Sequence, residues 1–281
     1  MSRFFSPDSE SNLIEKLVKN SFRSIDEGLY EVANFDHTHD AMSLTNNIRS
    51  MINIRKVPII TEVKFSSPSK GNIVDSQKVN PVNIANQMIG GGAIGLSVLT
   101  QKYFFNGSIN NFIVIRKNTS VPMLMKDIIV SENQIDCAKE IGADYVLLIK
   151  TVFDKNLAEA SIEKFSEYSY RKGLNILYEV HLDDEFKEIL DFKVRRNDLI
   201  GINNRNLDNL KIDLKTTENL LKKYDKGRNL IVSESGIENT EQIRYLKKAG
   251  ADAFLIGTSI MEKAENISSK VKELVNDTSS Y

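Results

Sequence analysis

The sequence predicts an α/β chain closed into a (β/α)8 TIM barrel with an N-terminal helical extension, and three observations carry that reading. Short aliphatic runs alternate with longer segments of helical period, the pattern of parallel strands joined by crossover helices. The alternation occurs eight times, and eight such units in one sheet favour closure, because a closed sheet has no edge to protect. Several helical segments end at a glycine just before the next run, where a left-handed C-terminal cap belongs.

Strands are expected near residues 57–63, 94–99, 121–125, 145–149, 174–180, 199–202, 230–233 and 253–256. The Gly142-Ala143-Asp144 before the fourth run recurs as Gly250-Ala251-Asp252 before the eighth, and Gly90-Gly91-Gly92-Ala93 takes the same place before the second. Residues 1–56 stand outside the repeat. Within them, 11–18 carries an apolar stripe at helical spacing, with Asp8, Ser9 and Ser11 available as N-caps. This segment reads as one added helix packed on the barrel. No linker divides the chain, so the extension (1–56) and the barrel (57–281) are expected to form a single domain.

Bulk properties narrow the function. Lys and Arg (37) nearly balance Asp and Glu (38), which gives no basis for nucleic acid or an anionic membrane as a partner. Cys137 is the sole cysteine, excluding an intrachain disulfide and a cysteine metal cluster. No apolar run approaches the roughly 20 residues of a membrane span, and the start of the chain lacks the apolar core of a secretory signal. A cytoplasmic enzyme acting on a small molecule is the expectation; composition is silent on oligomeric state.

Barrel active sites sit at the C-terminal ends of the strands, and here those ends are rich in chemistry. Strand one delivers Glu62 and Lys64, two residues apart and hence on one face. That pair reads equally as a structural ion pair or as part of a site. Strand three leads into Lys126-Asp127, strand five ends in Glu179, and strand six reaches Asn203 with Arg205 beyond. Strand seven gives Glu234-Ser235-Gly236, and strand eight gives Gly257-Thr258-Ser259. A single charge after an apolar run usually marks where the chain meets water. Two lysines and several glutamates aimed at one mouth would instead shift one another's proton affinities, as acid–base catalysis requires. Gly236, Gly257 and Thr258, on the last two loops, read as a phosphate site at the start of a helix near Ser259.

Taken together, these residues resemble the indole-3-glycerol-phosphate synthase family. The resemblance runs from about Pro58 to Met261. It includes Glu62-x-Lys64 with Ser67-Pro68-Ser69, Phe105-Asn106-Gly107-Ser108, Lys126-Asp127, Glu179, Asn203-Asn204-Arg205, Glu234-Ser235-Gly236 and Gly257-Thr258-Ser259. It implies ring closure, decarboxylation and dehydration of 1-(2-carboxyphenylamino)-1-deoxyribulose 5-phosphate. Lys126 would be the general acid and Glu179 the base, with Glu62 and Lys64 assisting loss of carbon dioxide and water. Asn203 would hold hydroxyl groups and Ser235 would help seat the sugar phosphate, with Ser67, Phe105, Arg205 and Glu234 completing the substrate site. No metal or organic cofactor is implied, since the substrate's carbonyl, and then its iminium, serves as electron sink. The match is loose over residues 1–56, and relatives often carry Lys or Ala where Phe65 and Ser66 stand. With no tryptophan in the chain, any aromatic wall must come from residues such as Phe4, Phe5 or Phe105.

Three other readings compete. His37-x-His39, with His181, could suggest a metal hydrolase, although the pair precedes the first strand, where a solvated loop is expected. Lys126 or Lys64 could form a Schiff base to a ketose phosphate, as in a class I aldolase. A barrel that only binds a phosphorylated ligand is the non-catalytic alternative.

Overall fold

The computed structural model describes residues 12–32, 41–67, 71–73, 79–192, 194–262 and 266–277. Eight parallel strands close into a barrel: β1 (Ile59–Val63), β2 (Gly95–Leu99), β3 (Met123–Lys126), β4 (Tyr145–Ile149), β5 (Asn175–Val180), β6 (Leu199–Asn203), β7 (Ile231–Glu234) and β8 (Ala253–Ile256). Each pairs with its neighbours in sequence, and β8 returns to β1 with Ile59 opposite Phe254. Ahead of β1 lie α1 (Leu13–Asp26) and α2 (Leu44–Asn53). The remaining helices are α3 (Pro81–Gly90), α4 (Ile109–Asn118), α5 (Glu132–Glu140), α6 (Lys150–Asp154), α7 (Ile162–Arg171), α8 (Asp183–Asp191), α9 (Lys215–Lys223), α10 (Thr240–Ala249), α11 (Thr258–Met261) and α12 (Ile267–Val275).

All eight expected strands are present, with small shifts at their ends that have physical causes. β1 and β3 begin just after Pro58 and Pro122, which have no N–H to give the ladder. Each proline still accepts through its carbonyl, from Phe254 N at 3.1 Å and Leu96 N at 3.0 Å. At the other end, β3, β6 and β7 run one residue further than expected. Lys126, Asn203 and Glu234 are therefore part of the ladder, Lys126 opposite Leu99 and Asn203 opposite Glu234. Their side chains are fixed by the sheet itself.

The Gly-Ala-Asp repeat has a structural meaning. Gly142 and Gly250 take φ of 80° and 115°, conformations that favour glycine and turn the chain out of a helix. The aspartate that follows then satisfies the first N–H of the neighbouring strand: Asp144 Oδ2 accepts from Met123 N, and Asp252 Oδ2 from Ile231 N, each at 2.7 Å. Both carboxylates also meet a cation, Arg116 at 3.0 Å and Lys226 at 2.6 Å. Asp198, which lacks the preceding Gly-Ala, accepts from Ile176 N, the second residue of β5, at 2.8 Å.

The extension departs from expectation. Its first helix is capped by Asn12, whose side chain accepts from Glu15 N at 3.0 Å. Asp8, Ser9 and Ser11, expected as caps, lie outside the described residues, as do Phe4 and Phe5. Among the described residues it holds two helices, and they serve opposite ends of the barrel. At the N-terminal ends of the strands, Leu44 of α2 donates its N–H to Tyr145 Oη at 3.1 Å, and Asn47 Nδ2 donates to Ile94 O at 2.9 Å. Leu44 also occupies the space that a side chain at Gly95 would need. At the C-terminal ends, α1 packs Ile14, Leu17 and Val18 into the common hydrophobic core. Behind α1, Tyr30 donates to Asp127 at 3.0 Å.

Asp144 joins the segment that leads into α2, through Met42 N at 2.7 Å, to β3 and β4, so its removal tests this scheme. Asp144→Ala leaves the buried Arg116 guanidinium without its carboxylate. It should cost about 3–5 kcal/mol, read as a lower denaturant midpoint at unchanged slope.

Candidate active site

The mouth of the barrel is a cavity to which β1, β3, β5, β6 and β7 each contribute a polar strand-end residue. At its centre, Lys126 Nζ donates to Glu179 Oε2 at 2.5 Å and to Glu234 Oε2 at 2.9 Å. Asn203 Nδ2 holds the other oxygen of Glu179 at 2.9 Å. On β1, Lys64 Nζ donates to Glu62 Oε1 at 2.8 Å, while Ser97 Oγ reaches Glu62 Oε2 at 3.4 Å. The two sequence readings of Glu62 and Lys64 thus hold together: they form an ion pair, and the pair faces the mouth.

Glu62, Glu179 and Glu234 are all buried, and for Glu62 and Glu234 burial disfavours the charged form. Lys126 offsets much of that penalty. Burial works against its ammonium too, but Glu179, Glu234 and Glu62 together raise its pKa well above the ordinary lysine value. Glu62 feels the same burial, yet Lys64 and Lys126 outweigh it and hold its carboxyl below the usual range. Glu234 goes the other way: burial dominates, the pull of Lys126 is partly cancelled by Glu179 and Glu62, and its pKa rises to about 7. Its Oε1 has no hydrogen-bond partner. That oxygen lies against Gly201, where any β-carbon would collide with it, so the glycine of β6 creates the room for the carboxylate of β7.

The rim is built from both loops and extension. After β7, Ser235 and Gly236 adopt φ of 68° and 78°, a strained pair for which serine is the unusual member. Ser259 Oγ ties the β8 loop to this one by donating to Ile237 O at 2.8 Å. Gly257 backs onto Glu62, with an added β-carbon falling 2.9 Å from both Cβ and Oε1 of that residue. The four-residue α11 starts at Thr258 and has no side-chain cap. Beyond β6, Arg205 donates to Leu210 O at 3.1 Å and its N–H to Asn203 Oδ1 at 3.0 Å. Burial lowers its pKa, partly countered by Glu62. Phe105 lines the opposite side with Leu99, and α1 adds Leu13 and Leu17.

All the expected site residues with described side chains therefore line the mouth. Ser67 pairs through its backbone with Gly71 in a short hairpin after β1; its side chain, with Pro68 and Ser69, lies outside the described residues. His37 and His39 lie outside them as well, and His181 is engaged through Nδ1 with Asn203 O at 2.7 Å. Among the described residues no group of three or more His, Cys, Asp or Glu could hold a metal ion, and no helix is long and apolar enough to cross a membrane.

The sequence reading missed four contributors. Leu13 and Leu17 had a helical stripe as their signal, but nothing local said that the stripe would face the mouth. Gly201 was seen only as part of a motif. Asp127 had no assigned role: it accepts from Thr100 Oγ1 at 2.6 Å, Tyr30 Oη at 3.0 Å and Ile128 N at 2.8 Å, and burial pushes its carboxyl up to about 6. As the residue beside Lys126, it ties the extension to the end of β3.

A closed barrel whose strand ends gather desolvated acids and bases in one cavity belongs to the class of (β/α)8 enzymes. The sequence profile of the indole-3-glycerol phosphate synthase family matches residues 14–274. Proteins named indole-3-glycerol phosphate synthase include one from Methanocaldococcus jannaschii, 48% identical over 78% of this chain and 78% of its own length. Another, from Aquifex aeolicus, is 42% identical over 77% of this chain and 80% of its own. A third, from Bacillus cereus, is 36% identical over 84% and 90%. The chain belongs to the indole-3-glycerol phosphate synthase family, the carboxy-lyases of tryptophan biosynthesis. The family match begins at residue 14, within α1.

Glu234 makes a measurable prediction. Its pKa is raised from 4.5 to about 7, so between those values the folded protein holds a proton that the unfolded chain has released. Stability conferred by that proton is full below 4.5 and is lost as pH rises to about 7. Compared with Glu234→Gln, the wild type should lose denaturant stability between pH 4.5 and 7; parallel curves would exclude this titration.

Proposed function

We propose that this mouth converts 1-(2-carboxyphenylamino)-1-deoxyribulose 5-phosphate to indole-3-glycerol phosphate, releasing carbon dioxide and water. The observation that carries the assignment of roles is Lys126, an ammonium held between Glu179 and Glu234.

In the empty mouth two carboxylates hold the Lys126 proton tightly. A ketone oxygen seated against Nζ displaces at least one of them, and the proton becomes available as the ring carbon attacks the carbonyl and the oxygen gains charge. The carbon–carbon bond forms, the oxygen becomes a hydroxyl, and an iminium remains on the former aromatic ring. That iminium accepts the electron pair left when carbon dioxide departs. Glu179 then removes the ring proton on the carbon bound to nitrogen as the hydroxyl leaves as water. Glu62 and Lys64 assist both departures from the β1 side, and Asn203, which holds Glu179, also reaches substrate hydroxyls. The charged state of Lys126 disfavours the Schiff-base alternative, which requires a neutral amine.

The sugar phosphate lies over Gly236, Gly257 and Thr258, with Ser235 helping to seat it. Support comes from the joined β7 and β8 loops and from the uncapped start of α11, the usual phosphate position in this fold. Arg205, Phe105, Ser67 and Glu234 complete the substrate site, and the reaction takes place in the cytoplasm. Inorganic phosphate should compete with substrate.

Product is readily followed by indole fluorescence, since the chain has no tryptophan. Lys126→Met should lower kcat by roughly 10²–10⁴-fold, and near-normal turnover would remove Lys126 from the mechanism. Glu179→Gln should reduce kcat far more than affinity; weak binding with kcat intact would make Glu179 a binding residue.

A further inference from the structure

Gln101, two residues beyond β2, is fully buried, and neither its amide nitrogen nor its amide oxygen has a hydrogen-bond partner. It lines the mouth. An unsatisfied buried amide is costly, yet the backbone that carries this one is held firmly in place. Gly107 N donates to Gln101 O at 2.9 Å, and Gly107 packs so closely that a β-carbon there would fall 2.6 Å from that oxygen. The residue before it, Thr100, spends its hydroxyl on Asp127. Gln101 alone of this pair keeps its side-chain polarity unspent.

We propose that Gln101 binds the aryl carboxylate of the substrate, its Nε2–H donating to a carboxylate oxygen. The inference rests on the function proposed above. With the phosphate on the β7 and β8 loops, the aromatic end lies toward β2, where Leu99, Phe105, Leu13 and Leu17 form an apolar wall suited to a benzene ring. The ring carries a carboxylate that such a wall cannot solvate, and Gln101 is a desolvated donor on that side of the mouth. Its neutrality suits a group that must leave. A fixed ammonium would stabilise the carboxylate most in the ground state and oppose its departure, whereas an amide holds it without that penalty. Lys64, the nearby cation of β1, is already engaged with Glu62.

The test compares two unreactive ligands, the substrate analogue with its ketone reduced to an alcohol and the same compound without the carboxyl group. Calorimetry on the wild-type enzyme should show the carboxylated analogue binding ~10-fold or more tightly, as expected for a hydrogen bond to a charged group. Gln101→Met, similar in shape, should lose most of that preference while its thermal midpoint stays level or rises, because two unsatisfied polar atoms are removed. Gln101→Glu should bind the carboxylated analogue more weakly still, yet bind the decarboxylated one nearly normally. A Gln101→Met variant that keeps the full preference, or that unfolds at clearly lower temperature because the amide was bonded within the fold, overturns the proposal. Wild-type enzyme that binds neither analogue would overturn the proposed function instead.

Discussion

One ammonium group organises the mouth of this barrel. Lys126 lies within hydrogen-bond distance of Glu179 and Glu234, and its field reaches Glu62. Without it, three buried carboxylates would face one another at a cost that neither sheet nor core could absorb without protonating them. With it, the acids diverge: Glu62 is held low while Glu234 is pushed to about 7. A set of chemically similar side chains thereby becomes a set of distinct ones, which a multistep reaction requires.

The sheet makes that cluster possible. Lys126 and Glu234 are strand residues with backbone partners, and Glu179 sits opposite Gly201 in the ladder. Long side chains anchored on rigid strands lose little further freedom when they meet. Gly201 serves the same end by absence, since the carboxylate of Glu234 occupies the volume of its missing side chain. Outside the barrel the same economy recurs, with Asp144 and Asp252 each satisfying a strand end and a cation at once.

Much of this was legible because buried parallel strands are written as uninterrupted apolar runs. A charge at the end of such a run, as at Lys126 or Glu179, is conspicuous against that background. What stayed hidden depends on contacts between distant parts of the chain. The apolar stripe of α1 announces a buried face but not which surface buries it, and α2 sits at the opposite end with little local signal of doing so. Gln101 is an unremarkable polar residue in sequence; only three-dimensional burial shows that its amide is unmatched. Gly201 and Glu234 are 33 positions apart, and nothing in either segment alone reveals that one accommodates the other.

The division of the extension between the two ends of the barrel has a kinetic consequence. Met42 and Tyr30 find their partners, Asp144 and Asp127, 102 and 97 residues further along the chain. During synthesis these first helices emerge long before anything exists for them to dock on, and the barrel itself cannot close until β8 reaches β1. The apolar face of α1 must therefore wait in water or against a chaperone. The mouth is completed late, so a ribosome-bound intermediate would carry its catalytic strands before it carries their cover.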